Sequence, residues 1–305
     1  MKTLAKLILV ATALLLATAT LAQSPVGEVS NVRDDSEALK IAAVEALITA
    51  PPDKALPVIT KVLAANHSNE IKETALFILS QIDRPEAQSL LLKFAREQSG
   101  ELQLEAIRMI GIGGDSEALT NLKSIYDAGN SDAREAVLEA YMIAGNKKAV
   151  FDIAVSAKGD DFETAVHLLG AMGAHEELRA LRSQTGPSET LIQAYAVSGD
   201  LDELRQLAMD GGDPDLQAQA IEAMGIVGGD EVDTDLVQIY RDAKSDGIRE
   251  AALHGLMISG HDAGVLELYR ASTSSAEKKE LLELLIIMGS DDVWSIIDSA
   301  LDGDQ

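Results

Sequence analysis

Five histidines, His67, His167, His175, His254 and His261, are the residues of this chain best suited to acid–base chemistry or metal binding. None stands four residues from another, so the helix-borne pair that holds zinc in metalloproteases is absent. His167 and His254 occupy equivalent places in a repeat described below and form a candidate pH-sensitive row, since imidazole titrates near neutrality; the simpler reading makes them exposed helix residues. Acid clusters at Asp210–Asp215 and Asp230–Asp235 raise calcium binding, but neither has the mid-loop Gly and terminal Glu of a calcium loop. Both lie where helix caps are expected, and acids there suit the helix dipole. Gly111, Gly113 and Gly114 are followed by no Lys-Ser/Thr of a phosphate loop. With no G-x-S-x-G elbow and no Cys, the sequence predicts no enzyme, no cofactor and no metal site. Close carboxylate pairs carry no information when acids number 50.

The elements that would position such residues follow from composition. Lys and Arg total 25 against 50 Asp and Glu, a net charge of −25. Nucleic acid is excluded as a partner, because neutralising phosphates needs clustered cations; a basic protein would instead be steered toward this field. Residues 1–22 place Lys2 and Lys6 before the apolar run Leu7–Leu16, with small residues at Ala17, Ala19 and Ala22. This is a signal-peptide pattern, too short in its apolar core for a spanning helix. The expected organisation is signal peptide 1–22, flexible linker 23–34 and repeat domain 35–305. The product is secreted or periplasmic, with no membrane span after cleavage. Removing Lys2 and Lys6 leaves 23 basic residues against 50 acids, net −27.

An apolar residue recurs at Val44, Leu76, Ile107, Leu138, Val166, Ile192, Ile221, Leu253 and Leu282. These nine anchors are 26 to 32 residues apart. Seven are followed, seven positions on, by Gly114, Gly145, Gly173, Gly199, Gly228, Gly260 and Gly289. Residues at offsets −1 and +3 are apolar too, and −1, 0, +3 share one helix face. Glycine then ends the helix in the left-handed conformation it takes without steric cost. A polar residue follows at Asp115, Asn146, Asp200 and Ser290, expected to cap a second helix. Caps for first helices are expected at Asp132, Asp213, Asp246 and Ser275. The fold class is all-α: a superhelical solenoid of about nine antiparallel helix pairs, because a 30-residue hairpin buries its apolar faces only by stacking on neighbours.

The stretches "SDAREAVLEAYMIAGNKKAV" and "SDGIREAALHGLMISGHDAGV" resemble HEAT-like repeats of the short, roughly 30-residue class. Asp132, Arg134 and Leu138, then Asp246, Arg249 and Leu253, carry the resemblance; residues 69–302 follow it more loosely. It implies inter-repeat support by Asp132, Arg134, Asp246 and Arg249, and protein partners on a concave face. The Arg position, four before the anchor, is Gln103, Phe162, Ser188, Gln217 and Lys278 elsewhere, so an interrupted ladder is expected. Residues 188–208 also resemble a tetratricopeptide hairpin.

In the last unit, Leu281–Met288 is apolar almost all round. The expectation is that the final helix, with Val293, Trp294, Ile296, Ile297 and Leu301, covers it; a docking or dimer contact through this repeat is the alternative. The sequence therefore reads as an exported protein-binding or scaffolding module with a strongly acidic surface. The alternatives are a regulatory subunit of an envelope peptidase or assembly complex, and an enzyme of the bilin-lyase type, which also uses short HEAT-like repeats.

Overall fold

Where three apolar side chains share a helix face at every period, the chain has one inexpensive way to remove them from water, which is to stack the helices that carry them. The computed structural model describes residues 32–209 and 212–302; the expected signal peptide, most of the linker and Asp210 lie outside them. Among the described residues there are eighteen α-helices and no strand. The chain divides into two units, Met1–Ala43 and Val44–Gln305. The first contributes most of helix α1 (Val32–Glu45), where Lys40 Nζ lies 3.9 Å from Glu37 Oε2. A 3-10 turn (Ala46–Thr49) follows.

In the second unit, helices alternate as antiparallel partners stacked in chain order. They are α2 (Pro52–Ala64), α3 (Asn69–Ser80), α4 (Pro85–Glu97), α5 (Glu101–Gly113), α6 (Ser116–Ala128), α7 (Ser131–Ile143), α8 (Lys147–Ser156), α9 (Asp160–Ala171) and α10 (His175–Thr185). The series continues with α11 (Glu189–Ser198), α12 (Leu201–Met209), α13 (Pro214–Val227), α14 (Asp230–Asp242), α15 (Asp246–Ser259), α16 (Asp262–Ala271), α17 (Ser275–Met288) and α18 (Asp292–Asp302). The odd-numbered helices carry the anchors and are the first helices of their pairs. Among the described residues, the second unit is an all-helical solenoid of this repeat.

Eight of the nine anchors are buried, and Leu282 is half-buried. From Ile107 to Leu282, every residue at −1 and +3 is buried as well. Fully burying an aliphatic side chain contributes roughly 1.5–3 kcal/mol, so this recurring triplet is the main adhesive between units. All seven turn glycines have positive φ, from 59° to 74°. Asp115 and Asn146 cap α6 and α8, accepting from Ala118 N at 2.8 Å and Ala149 N at 3.1 Å.

Other caps differ from expectation. Asn130 rather than Asp132 accepts from Ala133 N, Ser245 rather than Asp246 from Ile248 N, and Ser274 rather than Ser275 from Glu277 N. In each case a Ser or Asn one or two residues earlier already reaches the third backbone N–H, which leaves the expected residue inside the first turn. Asp213 does cap α13, through Asp215 N. Ser290 caps nothing: its Oγ is buried with no hydrogen-bond partner. Asp200 has a different role, described below.

First helices approach each other unequally, and glycine at offset +4 sets the difference. A Cβ on Gly111 would stand 2.7 Å from Ala140 O, one on Gly170 3.0 Å from Ala194 Cα, and one on Gly225 2.7 Å from Gly255 Cα. So α5 meets α7, α9 meets α11 and α13 meets α15 backbone to backbone. At the intervening seams, offset +4 carries Met142, Ala196 and Met257. From α5 to α16 the solenoid is thus built from three doublets of hairpins.

Two glycine variants separate packing from conformation. Gly225→Ala, though alanine favours helix, is expected to destabilise by about 1–3 kcal/mol through overpacking. Gly145→Val, in open space at φ 69°, is expected to cost at least about 1 kcal/mol from the left-handed backbone alone. Thermal and urea unfolding of the full chain measure both; a stabilised Gly225→Ala would remove the close-approach argument.

Candidate functional site

Polar side chains on the odd-numbered helices fall into rows, because offsets −3, +1 and +5 from each anchor lie one turn apart on the face opposite the core. The +1 row is paired within the doublets. Arg108 Nη2 lies 3.9 Å from Glu139 Oε2, His167 Nε2 lies 3.2 Å from Gln193 Oε1, and His254 Nδ1 lies 3.0 Å from Glu222 Oε1. His167 and His254 do share this row, but each is engaged with its own doublet partner and not with the other.

The expected supports are placed as follows. Arg134 Nη1 donates to Gly129 O at 3.2 Å, closing the end of α6, and Arg134 Nε forms an ion pair 2.9 Å from Asp161 Oδ2 of the next unit, without the alignment of a hydrogen bond. Arg249 pairs with Asp246 in its own helix at 3.0 Å, but its Nη2 also reaches Ala243 O of the preceding unit at 3.4 Å and its charge acts on Glu277 of the next unit. Asp132 lies exposed in the first turn of α7 and supports no neighbouring unit. Offset −4 instead supplies donors for the open carbonyls of the preceding helix. Gln103 Nε2 reaches Ala95 O at 2.9 Å, and Gln217 Nε2 reaches Ala208 O at 2.6 Å. Each motif stretch is spanned by a tyrosine-to-acid contact from the helix before it to the helix after it. Tyr240 Oη donates to Glu277 Oε1 at 2.8 Å. Tyr126 stands equivalently toward Asp161; burial, then that carboxylate, push its phenol up.

The ladder that sequence reasoning missed runs along the even-numbered helices. Arg96 of α4 donates to Asn121 Oδ1 at 3.0 Å and Ser124 Oγ at 3.1 Å on α6. Arg182 of α10 binds Glu203 and Gln206 of α12. Arg205 Nε donates to Asp235 Oδ2 of α14 at 2.6 Å. Arg241 of α14 reaches Glu267 of α16 at 2.6 Å, and Arg270 of α16 lies 3.8 Å from Asp292 of α18. The one available signal was Arg on successive second helices, but the acids answer at intervals too irregular to read as a motif.

Asp200, in the turn after Gly199, is the most enclosed acid of this ladder, its side chain 2% exposed. Arg179 donates Nε to Oδ2 at 3.0 Å and Nη2 to Oδ1 at 2.6 Å, and His175 Nδ1 lies 3.2 Å from Oδ2. That bidentate grip, and not helix capping, is why an acid stands here. Burial works to raise the Asp200 carboxyl, but the hydrogen bonds from Arg179 and His175 outweigh it and hold the group below its ordinary value. The surrounding groove of about 840 Å³ is lined by Lys147, His175, Arg179 and Arg205 together with Glu176, Glu177 and Glu231. A second enclosed acid, Asp233, accepts from Ser259 Oγ at 2.7 Å and lies 3.0 Å from His261 Nδ1. Asp233 and Asp235 are therefore acceptors for neighbouring units and not caps. Among the described residues no three His, Asp or Glu side chains converge as a metal site.

Every arginine from Arg96 to Arg270 is thereby committed inside the solenoid. The −3 row is not so compensated. Glu135, Glu163 and Glu250 are exposed and hold no ion pair among the described residues, and Glu189 accepts only from Gln193, at 3.3 Å. Farther along, burial and then Glu105, Glu101 and Glu70 push the Glu73 carboxyl up. The −3 row thus carries exposed carboxylates without ion pairs from Glu135 to Glu250, interrupted by Ala218, and ends in Lys279, which lies 3.7 Å from Glu283. At the far end the final helix does not cover α17. Leu281, Leu285 and Val293 are buried, whereas Ile286, Ile287, Trp294 and Leu301 stay exposed.

The family model described as HEAT repeats matches residues 56–142, and the chain is HEAT-like there. No curated protein sequence matches the chain. Among solved structures, the complex of CpcE and CpcF of phycocyanin lyase from Nostoc sp. PCC7120 is similar at TM-score 0.34 and 16% identity, over 88% of this chain and 100% of that one.

Asp200→Asn tests the buried grip. Because the folded carboxyl titrates below its unfolded value, its stabilisation is present above about pH 4 and lost as pH falls through the folded value. The variant is expected to lose about 1–2 kcal/mol at pH 7, a discounted value because Arg179 is about half exposed. Its acid unfolding limb should be shallower than wild type in urea titrations between about pH 5 and 2.

Proposed function

We propose that this HEAT-like repeat chain is an exported, non-catalytic protein-binding or scaffolding module that selects its partner by charge and shape on the face of its odd-numbered helices. The observation that carries the reading is the division of charge: arginines are spent on contacts between repeats, while the glutamates of the −3 row face solvent without cations. A surface of one sign attracts the other over roughly a Debye length, ~8–10 Å at physiological ionic strength. The lysines and apolar run of residues 1–22 support export.

In-cell cross-linking of the full chain in the envelope fraction, followed by identification of the captured partner, tests this directly. A basic protein is expected, with affinity falling by about tenfold or more between low and high salt as exposed charges are screened. An affinity indifferent to salt would remove the electrostatic basis of the proposal.

A further inference from the structure

Offset +5 closes the outward stripe of each odd-numbered helix, and there the side chains are aliphatic. Val197 of α11, Ile226 of α13, Ile258 of α15 and Ile287 of α17 occupy it in four consecutive units, exposed by 66%, 63%, 41% and 72%. Ile143 holds the same place on α7, and Ala171 interrupts the file on α9. Single exposed aliphatics are ordinary on protein surfaces. A file at one register, unit after unit, is not scatter, and the +1 residue one turn earlier in the same helices is polar each time: Gln193, Glu222, His254 and Glu283.

Carboxylates flank this file on both sides. Glu189 and Glu250 lie two turns back on the same helices, Asp230 and Asp262 open the helices that follow, and Asp291 stands in the last turn. None of these five forms an ion pair among the described residues. An occupant of the file has to bring cations as well as apolar side chains, which excludes a second copy of this acidic face.

We infer that the file formed by Val197, Ile226, Ile258 and Ile287 is a docking track for an extended polypeptide segment carrying aliphatic side chains at about three-residue intervals between lysines or arginines. The spacing comes from the scaffold. Packed helix axes are 8–10 Å apart, and three residues of extended or polyproline-II chain advance roughly 9–10 Å. One aliphatic contact per repeat, with cations between the contacts meeting the flanking acids, is the match that results. This inference rests on the protein-binding reading and assigns it a location and a partner chemistry.

The test uses the full chain and two fluorescein-labelled peptides of equal length and charge, one of repeating Lys-Ile-Ser triplets and one of repeating Lys-Ser-Ser triplets. Fluorescence anisotropy at about 0.15 M salt is expected to show the isoleucine peptide binding at least about tenfold more tightly, which is the effect of burying one or two aliphatic side chains. Combining Val197→Gln, Ile226→Gln and Ile258→Gln should reduce that peptide to the level of the serine peptide. The variant should leave serine-peptide binding, helical circular dichroism and the melting temperature unchanged, since all three sites are exposed. Glu189→Gln with Glu250→Gln should weaken both peptides. Equal binding of the two peptides with strong salt dependence would overturn the track and leave the acidic-face reading standing. Isoleucine-peptide binding that persists in the triple-glutamine variant would also overturn the track, and failure of both peptides to bind would overturn both.

Discussion

Backbone contact between paired first helices is the constraint on which the rest of the structure depends. Where Gly111 faces Ala140, Gly170 faces Ala194 and Gly225 faces Gly255, no Cβ fits between the helices. Glycine inside a helix normally costs about 1 kcal/mol relative to alanine. Three such residues at one register persist because dispersion contacts at close range outweigh that penalty. The same closeness brings the +1 side chains into range, so Arg108–Glu139, His167–Gln193 and Glu222–His254 are all intra-doublet pairs. Seams between doublets rely on other devices: Arg134 with Asp161, Arg205 with Asp235, and Tyr240 with Glu277.

Charge is distributed by the same logic. A solenoid with twice as many acids as bases repels itself. The arginines relieve that repulsion where it would separate neighbouring units, most of them from the even-numbered helices and Arg108 and Arg134 from the odd-numbered ones. A planar guanidinium suits this position, since one fork can grip a carboxylate of the next unit, as Arg179 grips Asp200. What remains outward on the odd-numbered helices is largely acidic because the arginines are engaged between units, and in the proposed reading structural and binding roles divide between the two helix rows.

Much of this was legible in the residues. The anchor, its −1 and +3 neighbours and the turn glycine are local signals, each tied to helical period or to a left-handed turn; the anchor marks all nine pairs and the glycine seven of them. Caps were displaced by one or two residues where Asn130, Ser245 and Ser274 precede another good acceptor, Asp132, Asp246 and Ser275; composition alone does not say which of two nearby acceptors reaches the backbone. The arginine ladder was hidden for a different reason. Its partners are separated by 21 to 30 residues on helices of varying length, so no fixed offset marks them. The proposed binding face was legible as an excess of charge and not as a place, because which carboxylates lack cations depends on where every arginine goes.

The alternation of doublet and seam also gives the chain a mechanical character. Interlocked backbone at Gly225 and Gly255 resists shear as a stiff link does, since neither helix slides without a steric collision. The seams at Met142 and Met257 carry flexible side chains, which yield by changing rotamer, and the seam at Ala196 is bridged by Arg205 and Asp235. Bending or tension applied to the solenoid therefore concentrates at every second interface. The protein deforms as a hinged rod with segments two repeats long, and its pitch adjusts in steps of that length and not continuously along the chain.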